Sequence, residues 1–339
     1  MKILTSFGIA LLFFISAGML FSADTIKEWE LQKKAVRADW LQFLGKHAEF
    51  RAADQPPRKV PFEVLSEEET DGVKRAKIRY ETESGCMVEA FLLTPLGLAA
   101  NEKRPAVVVF HTTSPNSHKQ AAGLAADEMG KAFGFHLAKQ GFVTICPQNF
   151  LWPETGNFDR KKADEYLKRN PDSRGMTRML LDGQIAIDLL CGLENVDSNR
   201  IGCVGHSLGA KEVLYLAAFD ERIKCAVSSE GGIEIDQSNW SDPWYLGNDA
   251  AKPDFLRNHA QLLSMVAPRP FLLIGGGASD NEKSRTTVDT ALNVYRLYDA
   301  EPKLEFFLHD KGHAMPPEAE DVVYRFFKNH LPPAETIAL

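Results

Sequence analysis

Five consecutive residues near the middle of the chain have the types and spacing of a nucleophilic turn. Gly205-His206-Ser207-Leu208-Gly209 directly follows the apolar run 200–204 and directly precedes the helix-like stretch 210–218. A G-x-S-x-G between a strand and a helix holds the serine in a strained turn, which lifts its hydroxyl clear of the sheet. Glycines on both sides leave room for the strand and the helix to approach each other. The pattern predicts that Ser207 is a nucleophile.

The histidine that would activate this serine is expected further along the chain. A serine hydroxyl is a weak nucleophile until an adjacent base removes its proton, and a third group must orient that base. After such a turn the partners follow in the order carboxylate, then histidine. His313 lies in a Gly-His loop between the last predicted strand and the last predicted helix, which is where the base belongs. His259 is expected to pack or cap within a helix, and His309 ends a strand.

Two carboxylates are candidates for orienting the base. Asp280 follows the predicted strand 271–274 within a Gly-rich loop, and Glu230 follows the predicted strand 223–227. Both positions directly follow predicted strands, and in an α/β sheet the ligand-binding site lies at the carboxyl ends of the strands. We favour Asp280 and keep Glu230 as an alternative or additional acid.

The developing negative charge on the substrate oxygen needs two backbone N–H donors. One is expected from the residue after the nucleophile, Leu208, and the other from the loop 111–115 after an earlier strand. Within that loop Thr112 and Thr113 are the candidates, and His111 is expected to shape the loop rather than take part in the chemistry.

The elements that must position these residues alternate between strands and helices. The hairpin signals Asp71-Gly72 and Ser84-Gly85 separate strand-like runs between 62 and 94, which predict an antiparallel start. Further on, helix-like stretches separate short apolar runs at 106–110, 142–146, 201–204, 223–227, 271–274 and 304–308. Strands buried on both faces and alternating with helices predict a doubly wound α/β fold, with about eight mostly parallel strands and helices on both faces.

The N-terminal region predicts two further segments. Residues 1–23 combine Lys2 with a long apolar run, which is typical of a secretory signal peptide. Export to the periplasm or the outside of the cell is therefore expected, and an uncleaved membrane anchor is the alternative. Residues 24–60 predict a helical extension with an aromatic stripe that includes Trp29 and Trp40. Residues 61–335 are expected to form the catalytic domain.

Composition excludes several functional classes. The 339 residues carry a formal net charge of −7, which argues against a nucleic-acid partner. The five cysteines include no C-x-x-C pair, so no metal site is expected, and their odd number rules out complete pairing within the chain.

Two long stretches, 147–173 and 231–252, interrupt the alternation of strands and helices. Long loops after strands of an α/β sheet are usually functional. Their aromatic side chains either form flat surfaces for a sugar ring or pack the loops themselves, and both interpretations stay open for Trp152, Trp240, Trp244 and Tyr245.

Several of these motifs resemble a known superfamily. The stretch 195–209, the segment Ala267-Pro268-Arg269-Pro270, Asp280 and Gly312-His313 are similar to landmarks of dienelactone-hydrolase-like and acetyl-xylan-esterase-like α/β-hydrolases. The resemblance implies an α/β-hydrolase fold and hydrolysis of an ester through a covalent acyl-serine, without a cofactor. Dienelactone hydrolases proper use a cysteine nucleophile, and this chain has Ser207 there.

A second resemblance is to the glucuronoyl esterases. Lys211, Glu230 and the tryptophan-bearing loop are similar to features of that family, in which an arginine follows the nucleophile. Here Leu208 takes that place. Lys211 is accordingly either a substrate contact or an ordinary lysine on a helix surface.

The leading hypothesis is an exported serine hydrolase of carboxylic esters, acting on acetyl xylan or a related small-molecule or carbohydrate ester. No nucleic-acid partner is expected, and no membrane association after signal cleavage. The alternatives are a glucuronoyl-type esterase, a peptidase like prolyl oligopeptidase, and a non-catalytic ligand-binding protein. The peptidase is disfavoured because no propeller-sized domain precedes the catalytic one.

Overall fold

The centre of the molecule is one nine-stranded sheet. The structure is a computed structural model that describes residues 23–45, 56–83, 85–153 and 157–332. The predicted signal peptide, apart from Ala23, lies outside these residues. The strands are β1 (Phe62–Thr70), β2 (Val73–Glu83), β3 (Cys86–Pro95), β4 (Arg104–Phe110), β5 (Val143–Pro147), β6 (Val196–His206), β7 (Ile223–Ser229), β8 (Phe271–Gly275) and β9 (Leu304–Leu308).

The strand order is β1-β2-β3-β5-β4-β6-β7-β8-β9. The first three strands form the predicted antiparallel start, and β3 also pairs antiparallel with β5. Every pairing from β5 through β4 to β9 is parallel. The carboxyl ends of β4, β6, β7, β8 and β9 therefore meet at one edge, where a doubly wound sheet binds its ligands.

Helices cover both faces of the sheet, because the central strands are apolar on both sides. They are α1 (Ile26–Leu44), α2 (His118–Ala121), α3 (Phe133–Lys139), α4 (Lys161–Arg169), α5 (Gly175–Cys191), α6 (Leu208–Phe219), α7 (His259–Val266), α8 (Arg285–Leu297) and α9 (Pro317–His330). One apolar cluster lies under α1, α5, α6, α7 and α8, and a second lies under α3 and α9. The expected fold is confirmed, with nine strands where about eight were expected.

The predicted N-terminal helix is present as α1, and it packs against the catalytic domain. Its indoles at Trp29 and Trp40 are buried, and Trp40 donates a hydrogen bond of 2.8 Å to the side-chain oxygen of Gln261. The ring of Trp40 lies against those of Tyr215 and His259, so the aromatic stripe completes the core rather than facing solvent.

The two long stretches differ from each other. Residues 231–252 contain only short 3₁₀ turns, at Ile235–Gln237 and Asn248–Ala251. The stretch 147–173 contains α4, which was not predicted. This helix forms because Ala163 and Tyr166 fall on one face of a charged segment and are buried against the domain.

The described part of the chain contains no helix long and apolar enough to cross a bilayer. None of the five cysteines, all of which lie in the described ranges, forms a disulfide bond.

Candidate active site

Ser207 occupies the predicted turn between β6 and α6. Its backbone angles are φ 58° and ψ −113°, which an L-residue adopts only when the surrounding structure enforces them. The turn is enforced by close packing, because a Cβ on Gly205 would clash with the backbone of Gly209, and one on Gly209 would clash with Phe110. The Ser207 N–H donates to the Ser229 carbonyl at 2.8 Å, which ties the turn to β7.

Ser207, Glu230 and His313 line one cavity of about 300 Å³. Its walls come from the carboxyl ends of four parallel strands and from the loop after β4, which contributes Thr113. The Ser207 hydroxyl makes no hydrogen bond within the described residues. A bond between nucleophile and base is often long or poorly aligned until substrate is bound.

The carboxylate that contacts His313 is Glu230. Nδ1 of His313 lies 3.1 Å from Oε2 of Glu230, whose side chain is fully buried. The Glu230 carboxylate also accepts the backbone N–H of Gly276 and, at 2.8 Å, that of Ser279. Burial alone would raise the pKa of Glu230, but the hydrogen bonds from His313, Gly276 and Ser279 outweigh it and hold the pKa below its ordinary value. Glu230 therefore stays ionised, as a residue that orients an imidazole must.

Asp280, favoured at the sequence level, has a different environment. Its oxygens accept the backbone N–H groups of Gly232 and Ile233 at 2.8 and 2.7 Å and the hydroxyl of Ser284 at 3.1 Å. Burial raises the pKa of Asp280. The preference for Asp280 is therefore corrected: its carboxylate is used up in holding the loop after β7, and the alternative acid, Glu230, bonds to the histidine.

The geometry also distinguishes the two candidate oxyanion donors of the loop after β4. The N–H of Thr112 is turned toward Oε1 of Gln120, 3.4 Å away, and Thr112 is buried outside the cavity. Thr113 is exposed, lines the cavity, and its N–H has no acceptor within the described residues. The N–H of Leu208 lies in the first turn of α6, where helical amides lack an intrahelical partner. Among the candidate donors, the N–H groups of Leu208 and Thr113 are the ones without an acceptor in the described part of the chain.

Lys211 is not the surface lysine that the simpler interpretation expected. It is 4 % exposed, lines the cavity, and donates to the Gly231 carbonyl and, at 2.6 Å, to the hydroxyl of Ser238. Its ammonium lies 4.2 Å from the ring centre of Trp240 and 5.2 Å from that of Tyr245. Burial lowers the pKa of Lys211 to about 7.

Most of the aromatic side chains proposed as sugar surfaces pack the loops instead. The indole N–H of Trp240 donates to the Gly232 carbonyl at 2.7 Å, and that of Trp152 donates to the Ser114 carbonyl at 3.1 Å. Both rings are buried, and Trp152 lines a separate depression beside α4. Trp244 is half-buried and lies against Phe158. Tyr245 is the member of this group that lines the cavity.

Sequence reasoning missed one residue packed against His313 and two residues that line the cavity. His206 is buried with its ring centre 4.7 Å from that of His313, and its Nδ1 lies 3.1 Å from the hydroxyl of Ser229. Ser238 and Asn239 line the wall opposite the catalytic loop. The G-x-S-x-G pattern allows any residue at the position of His206, so it did not single out a histidine there. Ser238 and Asn239 lie in a polar loop, which lacks the periodic hydrophobicity that sequence analysis relies on.

No group of three or more histidine, cysteine, aspartate or glutamate side chains is arranged to hold a metal ion in the described ranges.

One protein-family model matches the central part of the chain. Residues 88–245 match the dienelactone hydrolase family, a segment that includes Ser207 and Glu230 and ends before His313. None of the curated proteins matches the sequence of the chain.

Solved structures with a similar architecture include several esterases. Methylesterase BT1017 aligns with a TM-score of 0.68 at 18% identity, over 93% of this chain and 66% of its own. The chain thus spans just under two thirds of that protein. A glucuronoyl esterase from Solibacter usitatus aligns with a TM-score of 0.67 at 15% identity, over 90% of this chain and 94% of its own. An acetyl xylan esterase from Paenibacillus sp. R4 aligns with a TM-score of 0.54 at 16% identity, over 92% of this chain and 97% of its own.

These comparisons confirm the α/β-hydrolase fold and the resemblance to dienelactone-hydrolase-like and acetyl-xylan-esterase-like proteins. The enzyme class expected from the sequence, a hydrolase of carboxylic esters, agrees with both the family match and the structural neighbours.

Proposed function

We propose that this protein is an exported serine hydrolase that cleaves a carbohydrate ester through an acyl-serine intermediate. The observation that carries the proposal is the shared cavity, which is lined by a serine on a strained turn, by a histidine and by the buried, ionised glutamate that contacts the histidine. Nucleophile, base and orienting acid on three separate strand ends are the components of acyl transfer by a triad.

Each residue has a defined task in that reaction. His313 accepts the proton of Ser207 as the hydroxyl attacks the ester carbonyl. Glu230 holds the neutral imidazole with its proton on Nδ1 and then stabilises the imidazolium that forms. The N–H groups of Leu208 and Thr113 bind the oxyanion of the tetrahedral intermediate. His313 then returns the proton to the departing alcohol. In the second half of the cycle a water molecule, activated by the same histidine, hydrolyses the acyl-serine.

The character of the cavity supports a sugar substrate over a fatty acyl ester. Beside the nucleophile it presents the ammonium of Lys211, the hydroxyls of Ser238 and Ser279 and the amide of Asn239. Such groups can hydrogen-bond to hydroxyl-rich ligands, whereas an alkyl chain forms no hydrogen bond with them. The methylesterase, glucuronoyl esterase and acetyl xylan esterase neighbours support the same class.

Within this class, the position of Lys211 favours an ester whose acid part is itself a sugar acid. A buried donor in the wall of a small cavity suits a ring hydroxyl, and a glucuronoyl esterase is among the structural neighbours. The residue after the nucleophile still departs from that family, because the side chain of Leu208 is buried in the core and supplies no charge. An acetyl ester remains the competing substrate.

The decisive experiment compares the wild type with Ser207→Ala on four substrates. These are p-nitrophenyl acetate, acetylated xylan, a methyl ester of glucuronate and a peptide anilide. We expect wild-type turnover of esters only, covalent labelling by a fluorophosphonate, and loss of both in a folded Ser207→Ala protein. Cleavage of the anilide alone would instead indicate a peptidase, and absence of labelling would indicate a non-catalytic protein. Export is tested separately, by N-terminal sequencing of protein recovered from the periplasm or medium.

A further inference from the structure

His111 lies just outside the cavity, and both of its ring nitrogens are engaged. Nδ1 is 2.7 Å from the carbonyl oxygen of Thr112, and Nε2 is 3.0 Å from the backbone nitrogen of Asn149. A carbonyl can only accept and a backbone amide can only donate, so the proton must be on Nδ1 and the lone pair on Nε2. The ring is therefore neutral with a single tautomer. Burial, which lowers the pKa of His111 to about 4, keeps it so at neutral pH.

The bond to Thr112 has a consequence for the next residue. The carbonyl of Thr112 and the N–H of Thr113 belong to the same peptide group, which is planar and trans. In a trans peptide the carbonyl and the N–H point in opposite directions. Holding the carbonyl toward the buried ring of His111 therefore turns the Thr113 N–H the other way, toward the cavity that Thr113 lines.

The ring that holds this carbonyl is itself anchored to the core. Asn149 follows β5, and its side-chain nitrogen donates to Oε1 of the buried Glu212 in α6 at 3.1 Å. The edge of His111 also packs against Trp152, with ring centres 4.7 Å apart. The imidazole is thus fixed from two sides, by the helix that begins at the nucleophile and by the neighbouring strand.

From this geometry we propose that His111 is a positioning residue, which aims the N–H of Thr113 at the oxyanion by holding the carbonyl of Thr112. The inference rests on the proposed function, since an oxyanion hole has meaning only for an acyl-transfer enzyme. His111 itself touches no reacting atom. Its effect is expected in kcat, because the oxyanion forms only after substrate has bound.

Two substitutions each preserve one of the two hydrogen bonds of the His111 ring. His111→Asn places an amide donor near the position of Nδ1 and keeps the bond to Thr112, whereas His111→Gln places an acceptor near Nε2 and keeps the bond to Asn149. Loss of an entire oxyanion donor costs about 10²–10³ in kcat, so misaiming one donor in His111→Gln is expected to cost about 10- to 100-fold, with KM within about 3-fold. His111→Asn is expected to retain most of kcat. Tyr295→Phe, which removes a buried hydrogen bond to the Arg269 carbonyl far from the cavity, controls for lost stability.

The outcomes are distinct. The inference is overturned if kcat of His111→Gln stays within about 3-fold of wild type, or if His111→Asn loses as much kcat as His111→Gln. In either case, turnover by the wild type still supports the proposed function. Absence of wild-type turnover refutes the proposed function itself.

A measurement on the wild type keeps the test valid if the variants fail to fold. A boronic acid forms a tetrahedral adduct on the serine, and the amide proton of whichever residue binds its oxygen shifts downfield in the NMR spectrum. We expect the Thr113 amide to shift and that of Thr112 to stay. The opposite result would refute the assignment.

Discussion

The most specific prediction concerns which carboxylate orients His313, because Glu230 and Asp280 are similarly buried but have different hydrogen-bond partners. In Glu230→Gln, the amide oxygen can still accept the Gly276 N–H, which leaves the NH₂ group facing the N–H of Ser279 and Nδ1 of His313. A donor in that place forces His313 into the tautomer with its proton on Nε2, directed at Ser207. An imidazole in that state cannot accept the serine proton.

The magnitude follows from the tautomer. An acid-to-amide change that leaves the geometry intact and reverses the tautomer lowers kcat by about 10⁴, or about 5.4 kcal/mol of transition-state stabilisation. In Asp280→Asn the new NH₂ group opposes a backbone N–H, either that of Gly232 or that of Ile233, so a buried hydrogen bond is lost at about 1–3 kcal/mol. That change is expected to lower Tm by several degrees and kcat by about 10-fold or less, because only the loop position is affected.

The assay measures kcat for p-nitrophenyl acetate and Tm for both purified variants. Glu230→Asp serves as a matched control, since it keeps the charge while shortening the side chain, and it should retain more activity than Glu230→Gln. If Asp280→Asn were the variant that lost about 10⁴ in kcat while Glu230→Gln stayed within about 10-fold, the reasoning from the His313 contact would be wrong.

Three further predictions concern strain and protonation. Ser207→Gly should abolish turnover and raise stability by about 1 kcal/mol relative to Ser207→Ala, because glycine adopts the positive φ of this turn without strain; equal melting temperatures would contradict it. Because the pKa of Lys211 is lowered to about 7 in the native state, the unfolded chain binds more protons than the native protein above about pH 7. The stability of the wild type relative to Lys211→Met should therefore rise from pH 7 toward pH 10. Urea titrations that show the same stability difference at every pH would contradict this prediction. Burial lowers the pKa of His111 to about 4 in the folded protein, so the contribution of His111 to stability should fall as pH decreases from about 6.5 to 4. The stability of His111→Asn should therefore decrease less steeply than that of the wild type over that range. Identical acid denaturation curves for the two proteins would contradict this prediction.

Local sequence patterns were sufficient for much of the fold. A strained serine turn needs glycines on both sides, and short apolar runs separated by helical periodicity leave few arrangements other than a doubly wound sheet. For the same reason the order of Ser207, a later carboxylate and His313 could be predicted, since connections in such a sheet bring the strand ends to one edge. The helix α4 escaped prediction because only two of its residues, Ala163 and Tyr166, are buried.

What the amino-acid sequence indicated by itself was thus the candidate nucleophile, the candidate base and the sheet that joins them. Tertiary structure alone showed which of Glu230 and Asp280 contacts His313, because the two carboxylates follow adjacent strands and differ in the groups that surround them. It likewise decided between Thr112 and Thr113, where the orientation of one peptide plane depends on a ring held from β5. The burial of Lys211 against the ring of Trp240 was likewise decided by the tertiary structure. Such choices depend on contacts between residues far apart in the chain, and no local pattern records them.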